Sequence, residues 1–189
     1  MKVAALLGDV PEKRIRRDLS EARVRRGGAK KGFTLHETLY FALSEHSPLG
    51  ALPRRLKLDM WRALTSRERV GGAVRWKDKT LRIEGRVPAT VEASALVEEL
   101  TRRYAAWRRG LRRVEEDPHT LSGALRFKRT RVGVEHVGRL VNRGTPIAEL
   151  LEDFPALSED DLVFASLYVK LGRGPGRPRK TLKLRRAGV

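Results

Sequence analysis

No cysteine occurs in the 189 residues. That excludes disulfides and thiolate metal sites, and it fits a reducing cytosol. No apolar run approaches the roughly 20 residues that a membrane span needs, and Met1 to Leu7 is too short an apolar stretch for a secretory signal. The expected location is the cytoplasm, with no membrane partner. Catalytic patterns are missing as well. There is no Gly-x-Ser-x-Gly elbow and no phosphate-binding loop of the Walker type. The four histidines (His36, His46, His119, His136) are scattered without ligand-like spacing to carboxylates. The acidic pair Asp160-Asp161 reads as favourable charge at a helix N-terminus rather than as a catalytic dyad. The chain is therefore expected to bind rather than to catalyse, and to need no cofactor or metal.

Acid is the other scarcity, and it is local. Residues 172–189 hold seven basic residues and no acid, whereas Thr145 to Val169 holds six acids (Glu149, Glu152, Asp153, Glu159, Asp160, Asp161) and no Lys or Arg. Overall there are 41 basic against 23 acidic residues, a net charge of +18 and a pI near 11.2. Such a balance points to nucleic acid or an anionic protein surface as partner, with a merely solvated basic surface as the plain alternative. Hydrophobic residues at 40%, including three Trp, suffice for a packed core.

Local patterns predict a mainly α chain with a small β-hairpin. Val3 to Val24 reads as two short helices around Gly8-Asp9, with Pro11 at a favoured first helical position. Ile15, Leu19 and Ala22 form one apolar stripe, so Lys13, Arg14, Arg16 and Arg17 are expected to face outward. A second basic segment, Arg23 to Lys31 with Arg25 inside it, follows at once and reads as a flexible linker. Thr34-Leu35-His36-Glu37 is a capping box, and Leu35, Leu39 and Leu43 follow on one face. A helix opening at Pro53 carries Leu56, Met60 and Leu64. The segments 73–77 and 80–84, joined at Asp78-Lys79, predict the hairpin. The longest helix is expected over Val91–Val114. Its seam of Leu96, Leu100, Tyr104, Trp107, Leu111 and Val114 packs either on a second chain or within this one. Its other face is dense in arginine (Arg102, Arg103, Arg108, Arg109, Arg112, Arg113). A short strand around Leu125–Phe127 and three short helices complete a helix-turn-helix-like bundle: Val134 to Asn142 ended by Gly144, one opened by Thr145-Pro146, and one capped by Ser158.

The domains expected are a basic DNA-binding segment and linker (1–31) and a central helical and hairpin region with a possible dimer seam (32–116). A three-helix domain (117–171) and a basic flexible tail (172–189) follow. A recognition helix needs Lys and Arg for phosphates and base edges, which makes Lys13, Arg14, Arg16, Arg17, Arg23 and Arg25 the candidate DNA contacts. In the tail, Gly176-Arg177-Pro178 resembles the core of an AT-hook, which slides Arg into a narrow A·T minor groove. Alternatively, its guanidinium forks enter an acidic nuclease cleft.

The stretch Gly123 to Val134, then Val137-x-x-Leu140-Val141, Ile147-x-Glu149-Leu150-Leu151-Glu152-Asp153-Phe154-Pro155 and Leu157-Ser158-x-Asp160-Asp161-Leu162, resembles a small helical domain of many bacterial antitoxins. That domain was long catalogued only as one of unknown function. Leu125 stands where the family pattern has Pro, and Arg129 where it has Gly. Upstream, Ala4 to Gly8 with Pro11-Glu12-Lys13 resembles a clipped MerR-like helix-turn-helix, and Gly176-Arg177-Pro178-Arg179 is similar to the family's basic ending. The resemblance implies a VapB-type antitoxin of a type II toxin–antitoxin pair. Such a protein binds a PIN-domain ribonuclease, blocks its acidic metal site with Arg173, Arg177, Arg179 and Lys180, and represses its own operon as a homodimer on operator DNA. The rival reading is an architectural DNA-binding protein that uses the tail as an AT-hook.

Overall fold

Side-chain capping fixes where three of the described helical segments begin. The computed structural model of the chain describes residues 1–21, 32–66, 68–85, 88–117 and 124–172. Helix α1 (Lys2–Leu7) turns through Gly8 and Asp9, the latter at φ 53°, into α2 (Glu12–Glu21). Pro11 caps α2 rather than beginning it, since its carbonyl accepts from the N–H groups of Arg14 and Ile15. The expected capping box opens α3 (Leu35–His46): the Thr34 N–H donates to Glu37 Oε2 at 2.7 Å, and the Glu37 N–H donates to Thr34 Oγ1 at 3.2 Å. A 3₁₀ turn (Pro48–Ala51) leads to α4 (Arg54–Thr65), with Pro53 as its cap.

The expected hairpin is the centre of a larger sheet. Strands β1 (Val70–Gly71), β2 (Val74–Lys77), β3 (Thr80–Ile83) and β4 (Ala89–Glu92) pair antiparallel in chain order. Asp78 and Lys79 turn β2 into β3 with φ of 50° and 59°, the left-handed pair that matches strand twist in a two-residue hairpin. Val91 pairs with Leu81, so the long helix expected from Val91 starts later, as α5 (Ser94–Arg113). At its other end, Val114 begins β5 (Val114–Glu116), which pairs with β6 (Leu125–Phe127). Both ends of the expected helix are thus claimed by strand partners remote in sequence.

The last three helices form as expected: α6 (Val134–Asn142), α7 (Ile147–Asp153) and α8 (Glu159–Leu171). Gly144, at φ 89°, follows the end of α6. Arg129, where the resembling pattern has Gly, sits at φ 60° in the turn after β6, so an arginine here carries a backbone conformation that glycine adopts freely.

Two apolar clusters result. The first gathers α2, α3, α4, the sheet and the start of α5 around Tyr40, Phe41, Met60, Leu64, Leu81 and Leu100. The second gathers the end of α5, the β5–β6 pair and α6 to α8 around Trp107, Phe127, Leu150, Leu162 and Phe164. Helices α1 and α5 serve both: Ala4 and Ala5 join the first and Leu7 the second, while Leu100 joins the first and Trp107 the second. The seam on α5 is therefore filled within the chain, although Leu111 stays 36% exposed.

Helix α8 runs between α5 and α6 at contact distances only glycine allows. A Cβ on Gly110 would lie 2.1 Å from the Phe164 ring, and one on Gly138 would lie 2.2 Å from the Ala165 carbonyl oxygen. Mid-helix glycine costs about 1 kcal/mol against alanine; here close packing of the second cluster offsets it.

Candidate nucleic-acid interface

The pattern of α2 divides it lengthwise. Lys13, Arg16, Arg17 and Ser20, spaced i, i+3, i+4 and i+7, form one exposed stripe. Ile15 and Asp18 lie on the opposite face at 0% exposure, with Leu19 half-buried beside them. Lys13, Arg16 and Arg17 thus face solvent as expected. Arg16 meets Glu12 at 3.6 Å and Arg17 meets Glu21 at 3.7 Å; with Arg side chains 71% and 56% exposed, such pairs contribute little to stability.

Arg14 departs from the expectation. Its side chain is only 17% exposed and turns inward. Nε pairs with Asp18 at 3.2 Å, Nη2 donates to the Ser44 carbonyl at 2.8 Å, and Nη1 lies 3.7 Å from Glu45. Its acceptors on α3 are 30 residues away in sequence, which is why the stripe alone misplaced it. Arg14 fastens α2 to α3, and Lys57 does the same from α4 by pairing with Glu21 at 3.1 Å. These two ties hold the exposed stripe at a fixed angle to the rest of the fold.

Beneath α2 lies a buried polar group that sequence reading did not find. Asp18 Oδ1 is buried without a hydrogen-bond partner, close to the buried hydroxyls of Tyr40 and Ser44. Burial raises the Asp18 carboxyl above its ordinary 3.8, against the opposing pull of Arg14. Burial, with the Asp18 charge added, also pushes the Tyr40 hydroxyl well above its usual range.

Most of the arginines on the outer face of α5 have carboxylate partners. Arg102 and Arg103 both pair with Glu99, at 2.8 and 2.6 Å; Arg109 pairs with Asp160, and Arg113 Nε meets Asp161 Oδ1 at 2.9 Å. Among the described residues, Arg108 and Arg112 are left without one. The pair Asp160-Asp161 does stand at a helix start: Asp161 accepts from the Ser158 N–H at 2.9 Å, completing a capping box on α8. Of the histidines, His46 Nε2 lies 3.2 Å from the Gly8 carbonyl oxygen. His36 lines a cavity of about 180 Å³ with Leu35, Leu39, Trp76, Lys79, Val97 and Leu100. Burial, helped by the nearby Arg69 charge, lowers the pKa of His36 and so favours its neutral form.

Arg23 and Arg25, and the tail residues Arg173, Arg177, Arg179 and Lys180, lie outside the described residues. So do the expected linker and His119. The charge ledger is nevertheless informative. All 23 acids fall in described residues, whereas 14 of the 41 basic residues fall outside them. The described part therefore holds 27 basic against 23 acidic residues, a net +4 out of +18. Five of the other 14 lie in 22–31, directly after α2, and seven in 173–189, directly after α8.

All eleven Phe, Trp and Tyr residues are described, and none is fully exposed. The surface thus lacks the open aromatic platform on which single-stranded bases stack. No described helix is long and apolar enough to cross a membrane.

Residues 114–169, from the start of β5 almost to the end of α8, match a family model described as a protein of unknown function, DUF433. No curated protein and no solved structure matches the chain.

Proposed function

We propose that this chain is a VapB-type antitoxin of a type II toxin–antitoxin pair: a non-enzymatic binder that neutralises a PIN-domain ribonuclease with its C-terminal tail and contacts operator DNA through α2. One observation carries this reading: the partition of charge, with a nearly balanced body followed by acid-free basic segments. Polycationic segments of this kind suit acidic partners, and arginine forks pair two-pronged with carboxylates. In a metal-dependent ribonuclease the carboxylates that hold the metal are such a target. Arg173, Arg177, Arg179 and Lys180 would occupy them and exclude substrate. The match of 114–169 to DUF433 supports the reading, since that stretch contains Glu152-Asp153-Phe154-Pro155, the closest part of the resemblance to antitoxins.

For DNA, Lys13, Arg16 and Arg17 supply an exposed stripe of suitable chemistry, with Arg23 and Arg25 following in the chain. Arg14 has a positioning role here, holding α2 on α3. A repressor acting as a homodimer binds a palindrome, because the two-fold axis of the protein is mirrored in its site. The rival reading rests on Gly176-Arg177-Pro178, the AT-hook-like core.

Co-expression of the chain with the product of the adjacent gene, followed by pull-down and mobility shifts, separates the two readings. A stable complex and preference for one palindrome near its own start codon are expected. Absence of a protein partner, with equal binding to any A·T-rich duplex, would replace the antitoxin by an architectural protein.

A further inference from the structure

The β5–β6 pair ends in a turn that carries charge out of the second cluster. Lys128, Arg129 and Arg131 all project from it exposed. The turn is pinned at both sides. The Lys128 N–H donates to the Arg113 carbonyl at 2.8 Å, and Lys128 Nζ donates to the Arg112 carbonyl at 2.6 Å, at the C-terminal end of α5. The Phe127 N–H donates to the Val132 carbonyl at 3.0 Å, and Arg126 Nη1 donates to the Thr130 carbonyl at 2.6 Å. Arg112 is thereby brought beside the turn, and Arg108 stands one helical turn before it.

Nearby acid is already used. Arg126 pairs with Glu115 at 2.9 Å and Asp117 at 3.2 Å. Glu116 pairs in register with Leu125, at the end of the β5–β6 ladder away from the turn. Among the described residues, Arg108, Arg112, Arg129 and Arg131 have no carboxylate partner, and no undescribed segment contains an acid. Helix-end electrostatics explain only part of this group. Cations near the end of a helix stabilise it, which serves Lys128 and Arg112, but it leaves unexplained why Arg129 occupies a φ of 60°, where glycine would fold at lower cost.

We propose that the 128–131 turn, together with Arg108 and Arg112 of α5, is a second contact to the phosphate backbone of duplex DNA, independent of base sequence. It rests on the DNA-binding part of the reading above and adds a surface in the DUF433-like region that α2 does not supply. A duplex is the partner favoured because unpaired guanidiniums on a rigid turn match a fixed phosphate track, while exposed aromatics for stacking single-stranded bases are lacking.

The test uses the full chain and a random-sequence duplex, with affinity measured across a salt series. Each phosphate contact contributes about 0.9 to the slope of log K against log salt. Arg129→Gly is expected to make the slope shallower by about 0.9 while the melting temperature holds or rises. Arg108→Gln/Arg112→Gln/Arg131→Gln is expected to make it shallower by about 2.7, and the corresponding triple lysine variant to restore most of it. Unchanged slopes overturn the proposal, and so does a loss of affinity that appears only with a loss of melting temperature. The same series on Lys13→Gln/Arg16→Gln/Arg17→Gln keeps the two claims apart. If only the α2 variant weakens binding, the turn has no role and the operator reading stands; if only the turn variants do, the turn stands and α2 loses its assignment. A wild-type chain that binds no duplex overturns both.

Discussion

Asp18 and Asp161 are both buried carboxylates, at 0% and 1% exposure, one in each apolar cluster, and they are held in opposite ways. Asp161 is satisfied on every side: it closes the capping box with Ser158 at 2.9 Å, accepts from the Ser158 hydroxyl at 3.0 Å, and pairs with Arg113 at 2.9 Å. Asp18 has only Arg14 at 3.2 Å, and its second oxygen is buried without a partner near the hydroxyls of Tyr40 and Ser44. A buried charge is neutral or better for stability only when its hydrogen bonds are complete. Asp161 meets that condition, half of it through the local capping box on α8. The first cluster sets aside some stability to hold α2 by a polar tie, and α2 carries the candidate DNA stripe. A fully satisfied buried carboxylate and one that ties down a contact helix with an oxygen left over are thus combined in one chain, joined through α5, which enters both clusters.

The largest expected effect tests that shared spine. Trp107 packs on Phe164 with ring centroids 5.2 Å apart, and Trp107→Ala should cost about 3–5 kcal/mol in denaturant unfolding. Because α1 and α5 feed both clusters, the variant should still unfold in a single transition. Two separated transitions would show that the clusters are independent. Gly110→Val should be nearly as harmful, since any Cβ there collides with Phe164; about 1–3 kcal/mol or more is expected for such overpacking.

Next in size is the carboxylate pair itself. Asp161→Ala removes the carboxylate half of the Ser158 capping box and the partner of Arg113, and should cost about 2 kcal/mol, whereas Asp161→Asn should keep part of the box and lose less. Asp18→Asn should change stability at neutral pH by no more than about 1 kcal/mol, because it removes an incompletely satisfied charge along with the Arg14 pair. Asp18 also gives stability a pH dependence. The Asp18 carboxyl is raised above 3.8 in the folded state, so the folded form binds that proton more tightly than the unfolded form does. Its contribution is therefore most favourable below 3.8 and is lost as pH rises through the folded value. Urea midpoints taken across mildly acidic pH should show this fall in the wild type and a flatter profile in Asp18→Asn. Equal profiles would refute the incomplete-satisfaction account.

Smallest in stability are Arg16→Ala and Arg17→Ala, whose exposed pairs with Glu12 and Glu21 should leave the melting temperature unchanged within error. Both should weaken operator binding in a mobility shift. Arg14→Ala should do the reverse in order: it should loosen the fold first, and DNA binding through that loss.

Elements written in local chemistry were legible in the sequence. The Thr34/Glu37 box, the Ser158 cap, the hairpin turn at Asp78-Lys79 and the limits of α6 depend on residues a few positions apart, and all appear where expected. Strands β1, β4 and β5 were not legible. Each has two to four residues, too few for an alternating pattern to declare itself. Strands β4 and β5 also depend on partners well separated in sequence, as Val91 does opposite Leu81 and Val114 opposite Phe127, while β1 only places Val70 opposite Arg75 across a short turn. The same holds for the site. The outward stripe of α2 followed from helical spacing, while the inward turn of Arg14 depended on Ser44 and Glu45 of α3. Gly110 was legible in principle, since an isolated glycine inside a long helical pattern signals a close neighbour, but nothing local names Phe164 as that neighbour.

The antitoxin reading is tested most directly by ribonuclease inhibition, using the adjacent gene's product and the chain with and without residues 173–189. Full-length chain should silence cleavage; the truncated chain should keep the same unfolding transition and leave the ribonuclease active. Equal silencing by both chains would contradict the assignment of neutralisation to the basic tail, and active ribonuclease in the presence of the full chain would contradict the antitoxin reading itself.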